Sequence, residues 1–313
     1  MREEAILVGK DQSLVGVVTY PSESAQKPGL PAVILLNAGL IHRIGPNRTY
    51  VKLARQLAES GFPVLRFDLS GIGDSLPRRD NLPFEKSAVD DSRQAMDFLT
   101  QKIGVQSFVM MGHCAGAFNS FATASADKRV TGMVLINPEG ANDEWSDFDR
   151  KRKVSNYYES HYSPANLASR DRWVKFLTGK ASYGSILRNL VVNIAWNRIS
   201  TAAFRVQKKF TKNKTDDQAI LTALTGLQEM AGRGMVTLFI YSEGSTGFLR
   251  AQRVFTHELR DLSQSGHVKL EVIPNADHVF TLSTMQHNLV QVINDWMGQM
   301  LGERQGAPLE TTP

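Results

Sequence analysis

Cys114 is the only cysteine in the 313-residue chain, and glycines flank it at matched spacing in Gly112-His113-Cys114-Ala115-Gly116. The apolar run FVMM precedes this stretch and AFNS follows it, so the local order is strand, sharp turn, helix. That order is the context of a nucleophile elbow, here with a thiol where a hydroxyl is usual. A residue at the tip of such a turn is held in strained backbone geometry. Side chains two positions before and after it would collide with the neighbouring strand and helix, which selects glycine at both. The tip residue projects above the sheet at a helix N-terminus, where the dipole and the orphan N–H groups favour a thiolate. The competing reading is a structural cysteine, since free cysteine is among the most buried residue types. A base and an oxyanion site must decide between the two.

His278 is the candidate general base. It follows the last strand and a turn, in LEVIPNADHVFT, where a loop histidine can swing over a nucleophile. His113 lies inside the turn itself, His42 lies after the third strand, and the other four histidines fall in an inserted segment or at surface positions. The loop NAGL, residues 37–40, ends the strand PAVILLN, and its small residues let the backbone approach a reacting carbonyl. The N–H groups of Leu40 and Ala115 are therefore the candidate oxyanion hole. Gly39, His113 and Arg43 border this place and are candidates for substrate contact. Arg43 and Arg48 could take a carboxylate or phosphate, or pair with the strand-end aspartates Asp68 and Asp74. The candidate acid is Glu243, the one carboxylate of YSEGSTGF after the strand MVTLFIY, with Glu139 in NPEG and Asp277 as alternatives. A thiol ionises more easily than an alcohol, so a cysteine enzyme depends less on this third member.

The elements that position these residues read clearly. The alternation of AILV and SLVGVVTYP predicts two antiparallel strands. PAVILLN, PVLRFDL, SFVMMG, VTGMVLIN, MVTLFIY and HVKLEVIP have the continuous apolar character of buried parallel strands. Helices are predicted after Asn47, read as their first cap, over 86–103, from Cys114 onward, over FLRAQRVFTHELRDL, and over MQHNLVQVINDWMGQML. Strand–helix alternation means helices on both faces of a mostly parallel sheet, with ligands at the carboxyl ends of the strands. The alternation breaks over residues 141–230, read as an inserted helical lid. The core is then 1–140 with 231–302, and 303–313 reads as a disordered tail.

Composition narrows the class. With 42% hydrophobic residues the chain can bury a large core, and one cysteine excludes an intramolecular disulfide. The N-terminus is too acidic for a signal peptide and no apolar run approaches a membrane span, so a soluble cytoplasmic protein is expected. Net charge is only +5, but residues 150–214 hold 15 Lys and Arg against Glu159 and Asp171, a local charge of +13. With Trp173, Phe176, Tyr183, Trp196 and Phe204, this segment could dock an acidic acyl-carrier protein, the phosphates of coenzyme A or an anionic membrane surface, or it could be a solvated cap. Nucleic acid is not expected, because no nucleic-acid motif accompanies the charge. Gly71-Ile72-Gly73 lacks the context of a dinucleotide fingerprint, and no cluster has metal-ligand spacing, so neither metal nor cofactor is expected.

Three stretches together, NAGLIHRIGPNRTYVKLARQLAESGFPVLRFDLSGIGDS, GHCAGA and ADHVFT, resemble the α/β-hydrolase superfamily. More narrowly, the patterns HRxGPxR at 42–48 and FDLSGxGDS at 67–75 are similar to those of exosortase-system-associated hydrolases and their serine-aminopeptidase-like relatives. The resemblance implies an α/β-hydrolase fold, an eight-stranded mostly parallel sheet carrying an inserted lid. It also implies the chain order nucleophile, acid, histidine, which Cys114, Glu243 and His278 satisfy. The sequence departs from the pattern at Cys114, where serine is usual, and at Ser245, where the acid is usual. The expected chemistry is acyl transfer through a Cys114 acyl-enzyme, as a thioesterase, esterase or acyltransferase acting on an acyl ester or thioester. The alternatives are a degenerate binding or scaffold protein of the same fold and a dienelactone-hydrolase-like lactone hydrolase.

Overall fold

The computed structural model describes residues 1–9, 11–138, 222–243, 245, 247–248 and 259–306, with side chains as far as 299. The basic segment 150–214, Glu139 and the last seven residues lie outside this set. Most of the expected lid and of the helix expected over FLRAQRVFTHELRDL do so as well.

Eight strands form one sheet in the order β1-β2-β4-β3-β5-β6-β7-β8. They are β1 (Arg2–Val8), β2 (Leu14–Tyr20), β3 (Ala32–Leu36), β4 (Val64–Phe67), β5 (Phe108–His113), β6 (Val130–Ile136), β7 (Val236–Ser242) and β8 (Val268–Ile273). The first two pair antiparallel, with Ala5 opposite Val17, and β2 runs antiparallel to β4. Every later pairing is parallel. The five residues of β3 and the four of β4 are all buried, as expected of strands covered on both faces.

The helices are α1 (Thr49–Glu59), α2 (Phe84–Ile103), α3 (Ala115–Ala126), α4 (222–232), α5 (Arg260–Gln264) and α6 (Ser283–Gly306). In α1 the buried side chains Tyr50, Leu53, Ala54 and Leu57 recur at helical spacing. They join Leu289, Ile293, Trp296 and Met297 of α6 over Val33, Leu35, Val109, Met111 and Val134 of the sheet. The alternate residues Ile34, Met110 and Met133 are also fully buried and point to the other face, where α3 packs on β5 and β6. Among the described residues no helix is long and apolar enough to cross a membrane.

Three boundaries differ from the sequence reading. Helix α1 starts at Thr49 with Arg48 as its cap residue, and neither Arg48 nor Asn47 caps it through a side chain. Asn47 and Arg48 are both left-handed, with φ of 50° and 59°, so the chain enters the helix through a tight reversal that Asn47 serves otherwise. Second, α4 buries Leu224, Leu227 and Met230, and Gly226 packs so closely under Phe121 of α3 that an added Cβ would lie 3.1 Å from the ring. The compact unit holding the sheet therefore comprises Met1–Ala141 and Leu224–Pro313 and resumes before residue 231. Third, α6 runs from Ser283 to Gly306, past the end expected at Leu301.

One buried tyrosine ties the strand ends under the elbow together. The Tyr50 hydroxyl donates to the Leu36 carbonyl and accepts the His113 N–H, both at 2.9 Å. Burial holds its ionisation above the ordinary tyrosine range despite the bond from the His113 N–H, and the nearby Cys114 adds to the rise. The group is therefore a neutral crosslink. Tyr50→Phe leaves a carbonyl and an N–H unsatisfied in the core, and should cost about 1–3 kcal/mol in a denaturant titration with little change in m-value.

Candidate active site

Strand β5 ends at His113 and α3 begins at Ala115, so Cys114 alone makes the turn, at φ 56° and ψ −118°. A positive φ on a residue with a side chain costs on the order of 1–3 kcal/mol and persists only where the surroundings enforce it. Here the Cys114 N–H donates to the Ile136 carbonyl at the end of β6 (2.9 Å), and its own carbonyl accepts the Ala117 N–H (3.0 Å). The two glycines are sterically required. A Cβ on Gly112 would fall on the Gly116 carbonyl, in the first turn of α3. A Cβ on Gly116 would lie 2.7 Å from the carbonyl oxygens of both Leu36 and Asn37 at the end of β3. Cys114 itself is partly exposed. Ala115, the first residue of α3, carries one of the N–H groups that a helix N-terminus leaves without an intrahelical acceptor.

The NAGL loop is shaped by Asn37, which the sequence reading passed over. Buried at the end of β3, Asn37 donates through Nδ2 to the Ile41 carbonyl (3.0 Å) and to Asp68 (3.1 Å), and accepts the Leu69 N–H (2.8 Å). The turn closes by Ile41 N–H to the Ala38 carbonyl at 3.2 Å. Gly39 is left-handed at φ 61° with open space where a Cβ would stand, so its backbone angle rather than crowding calls for glycine. The Leu40 side chain is 89% exposed at this rim.

Arg43 serves the scaffold. Its guanidinium pairs with Asp68 and, at 2.7 Å, with Asp74, while its N–H donates to Asp68 at 2.6 Å. Burial disfavours its charge, but the bonds to Asp74 and Asp68 outweigh that and hold the guanidinium above its ordinary value. The Asp68 carboxylate is fully buried and also accepts the Asp74 N–H. The Ser75 hydroxyl donates to the Asp68 carbonyl at 2.6 Å and accepts the Val15 N–H at 2.9 Å. The patterns HRIGPNR and FDLSGIGDS are thus the two halves of one ion-paired junction beside the NAGL loop. The substrate contact expected of Arg43 competes with both aspartates.

The elbow and the histidine loop come together. The His278 ring centroid lies 4.8 Å from that of His113, the residue before Cys114, with 43° between the planes. His278 is half-buried. His113 is 3% exposed and points under the site, its Nε2 2.7 Å from the His278 carbonyl and its ring edge-on to Phe280 at 6.0 Å. Asn137 is the second residue the sequence reading missed. It follows β6 with φ 43°, is wholly buried, donates through Nδ2 to the same His278 carbonyl (2.9 Å), and accepts the Ser242 N–H (2.7 Å). A polar residue ending an apolar strand run at the carboxyl edge was the available signal.

The candidate acids divide. Glu243 is exposed, and its carboxylate accepts the Asn275 N–H at 2.8 Å, on the turn that leads to His278. Asp277 is exposed and accepts the N–H groups of Val279 (3.0 Å) and Thr281 (3.1 Å). Desolvation raises its carboxyl, but hydrogen bonds from Thr281, Val279 and Phe280 outweigh this and hold it below the usual carboxylate range. Ser245, at the usual acid position, is buried. Glu139 lies outside the described residues.

The structure thus brings together a thiol at a helix N-terminus and a loop histidine packed beside the residue that precedes it. Comparison with known proteins agrees on the family. A family model described as the alpha/beta hydrolase fold matches residues 31–282. Esterase EstD of Thermotoga maritima is 28% identical over 129 residues, 40% of this chain and 30% of that protein. Human protein ABHD12B is 29% identical over 94 residues, 30% of this chain and 24% of that protein. The chain therefore spans less than a third of the length of the curated relatives it matches. Among solved structures, an esterase from Pyrococcus furiosus superposes with a TM-score of 0.60 at 13% identity, covering 95% of this chain and 91% of that one. With the sheet order, the elbow and the histidine loop, these matches show that the chain belongs to the α/β-hydrolase family.

Proposed function

We propose that this chain transfers acyl groups from esters or thioesters through a Cys114 acyl-enzyme, with His278 as general base. The observation that carries the proposal is the backbone of Cys114, forced to φ 56° at the head of α3 by two glycines that leave no room for side chains. A cysteine kept only for packing has no use for that strain. His278 takes the thiol proton as Sγ bonds to the acyl carbon, and the carbonyl electron pair moves onto oxygen. The N–H groups of Leu40 and Ala115 receive that oxyanion. Collapse breaks the carbon–oxygen or carbon–sulfur bond, and the leaving group takes the proton from His278. Water or another acceptor then gives its proton to His278 and attacks the thioester, which releases the Cys114 thiolate.

The relatives named esterases support the ester side of this reading. Cysteine in place of serine supports the thioester and transfer side, because a thioester intermediate retains acyl-transfer potential. Glu243 enters as the acid of the triad, acting on the turn ahead of His278 through Asn275. The charge of +13 over residues 150–214 makes an anionic acyl carrier, a carrier protein or coenzyme A, the donor we favour.

Because the chain has one cysteine, alkylation tests the reading cleanly. Acyl-coenzyme A, acyl-carrier protein and simple esters are assayed before and after stoichiometric iodoacetamide treatment. The expected result is turnover of at least one of them that disappears in proportion to Cys114 alkylation. Turnover untouched by complete alkylation would refute the proposal.

A further inference from the structure

The loop that carries His278 is held in an unusual way. Four consecutive carbonyls, those of His278, Val279, Phe280 and Thr281, each accept a side-chain donor from elsewhere in the fold. Asn47 Nδ2 takes the Val279 carbonyl at 3.1 Å, and Gln286 Nε2 takes those of Phe280 (2.8 Å) and Thr281 (3.2 Å). Lys52 Nζ donates to Gln286 Oε1 at 2.6 Å, which fixes that amide with its NH₂ toward the loop. The His278 carbonyl alone receives two donors, His113 Nε2 at 2.7 Å and Asn137 Nδ2 at 2.9 Å, both from residues at most 3% exposed.

A carbonyl can only accept, so His113 must carry its proton on Nε2. The peptide plane after His278, once pinned by two buried donors, fixes the direction of the Cα–Cβ bond that carries the imidazole. His113 is also the residue next to Cys114, so one side chain couples the elbow to the loop of the base. We propose, on the Cys114–His278 reading above, that His113 is a positioning residue. Its Nε2–H, together with Asn137, holds the His278 main chain so that the imidazole stands at Cys114. The elbow's histidine thereby supports the base from below and does not meet substrate, which replaces the substrate contact expected of it.

The test uses the pH dependence of Cys114 alkylation by iodoacetamide, followed by intact mass in the full chain. In the wild type, alkylation near pH 6.5 should exceed that of His278→Ala by about tenfold or more, because the imidazole assists thiol ionisation. His113→Phe, which keeps a buried ring and loses the donor, should fall to the His278→Ala rate. His113→Gln, whose Nε2 can reach the same carbonyl, should recover to within about threefold of wild type. In a His278→Ala background, His113→Phe should have no further effect, as two groups acting through one another are non-additive. An unchanged rate in His113→Phe overturns the proposal. An equal loss in both backgrounds also overturns it, since His113 would then act on the elbow alone. A His278→Ala protein that alkylates like wild type sinks the Cys114–His278 reading itself and the proposal with it. Should His113→Phe fail to fold, nitrogen NMR of the wild type decides: an Nε2–H tautomer for His113 supports the proposal and an Nδ1–H tautomer overturns it.

Discussion

Cys114→Ala should lose acyl transfer by about 10⁴-fold or more while the protein keeps its fold, a change on the order of 5 kcal/mol in transition-state stabilisation. The size follows from what the thiol does. Every covalent step of the proposed cycle begins or ends at Sγ, so no other group can supply the acyl-enzyme path. What remains is whatever the oxyanion donors and the imidazole give to direct attack by water. Stability should change little or rise slightly, because alanine at φ 56° is no more strained than cysteine and the side chain removed is partly exposed. Cys114→Ser separates chemistry from geometry. Serine fits the same turn, but its hydroxyl needs stronger activation, and the carboxylate of Glu243, the proposed acid, is occupied by the Asn275 N–H. Cys114→Ser is therefore expected to fold normally and to remain at least about 10²-fold below wild type in steady-state assays.

Gly112→Ala should be the most damaging single methyl group that can be added to the described core. Its Cβ would fall on the Gly116 carbonyl, which cannot move away because Gly116 is itself packed against the carbonyls of Leu36 and Asn37. The turn is boxed in from β3 on one side and by the first turn of α3 on the other, so relief requires β5 and α3 to separate. We expect about 3 kcal/mol or more of destabilisation, measurable as a lower denaturant midpoint, with loss of rapid Cys114 alkylation in the remaining folded protein. Gly39→Ala makes the contrast. Gly39 has a left-handed φ, which Gly112 does not, but a Cβ there meets open space, so only about 1 kcal/mol of strain is expected.

These expectations show how far the residues could be read before the fold was known. The strands were legible because buried parallel strands are uninterrupted apolar runs, and PAVILLN and SFVMMG admit no other reading in an alternating chain. The elbow was legible because its steric demands are local: Gly112 and Gly116 answer to atoms within a few residues or on the adjacent strand end. The support of the His278 loop was not legible. His113 meets the His278 carbonyl across 165 residues, Asn137 across 141, and Asn47 meets Val279 across 232. A polar side chain carries no local sign of so distant a partner, and for Asn47 a helix-cap reading was the natural local choice. Arg43 was ambiguous for a related reason. A guanidinium suits a substrate anion or a buried aspartate equally, and only the arrival of Asp68 and Asp74 from the next strand end decides which it meets.

The two patterns that carried the family resemblance are explained by the same geometry. HRIGPNR supplies Arg43 to the Asp68 junction and Asn47 to the histidine loop, while Lys52 one turn later steadies Gln286. One short segment thus ties the NAGL loop, the loop after β4 and the His278 loop together. A strained Cys114 within a rigid surround is the arrangement that the proposed acyl-enzyme chemistry would need as preorganisation.

The most direct measurement of the central claim is intact-mass analysis of the wild-type protein, quenched in acid within milliseconds of mixing with an acyl thioester or ester that it turns over. The account predicts a mass increase equal to the acyl group, carried on the peptide containing Gly112–Gly116, released by hydroxylamine and missing in Cys114→Ala. Undiminished turnover in Cys114→Ala, or an acyl group found on a residue other than Cys114, would contradict it.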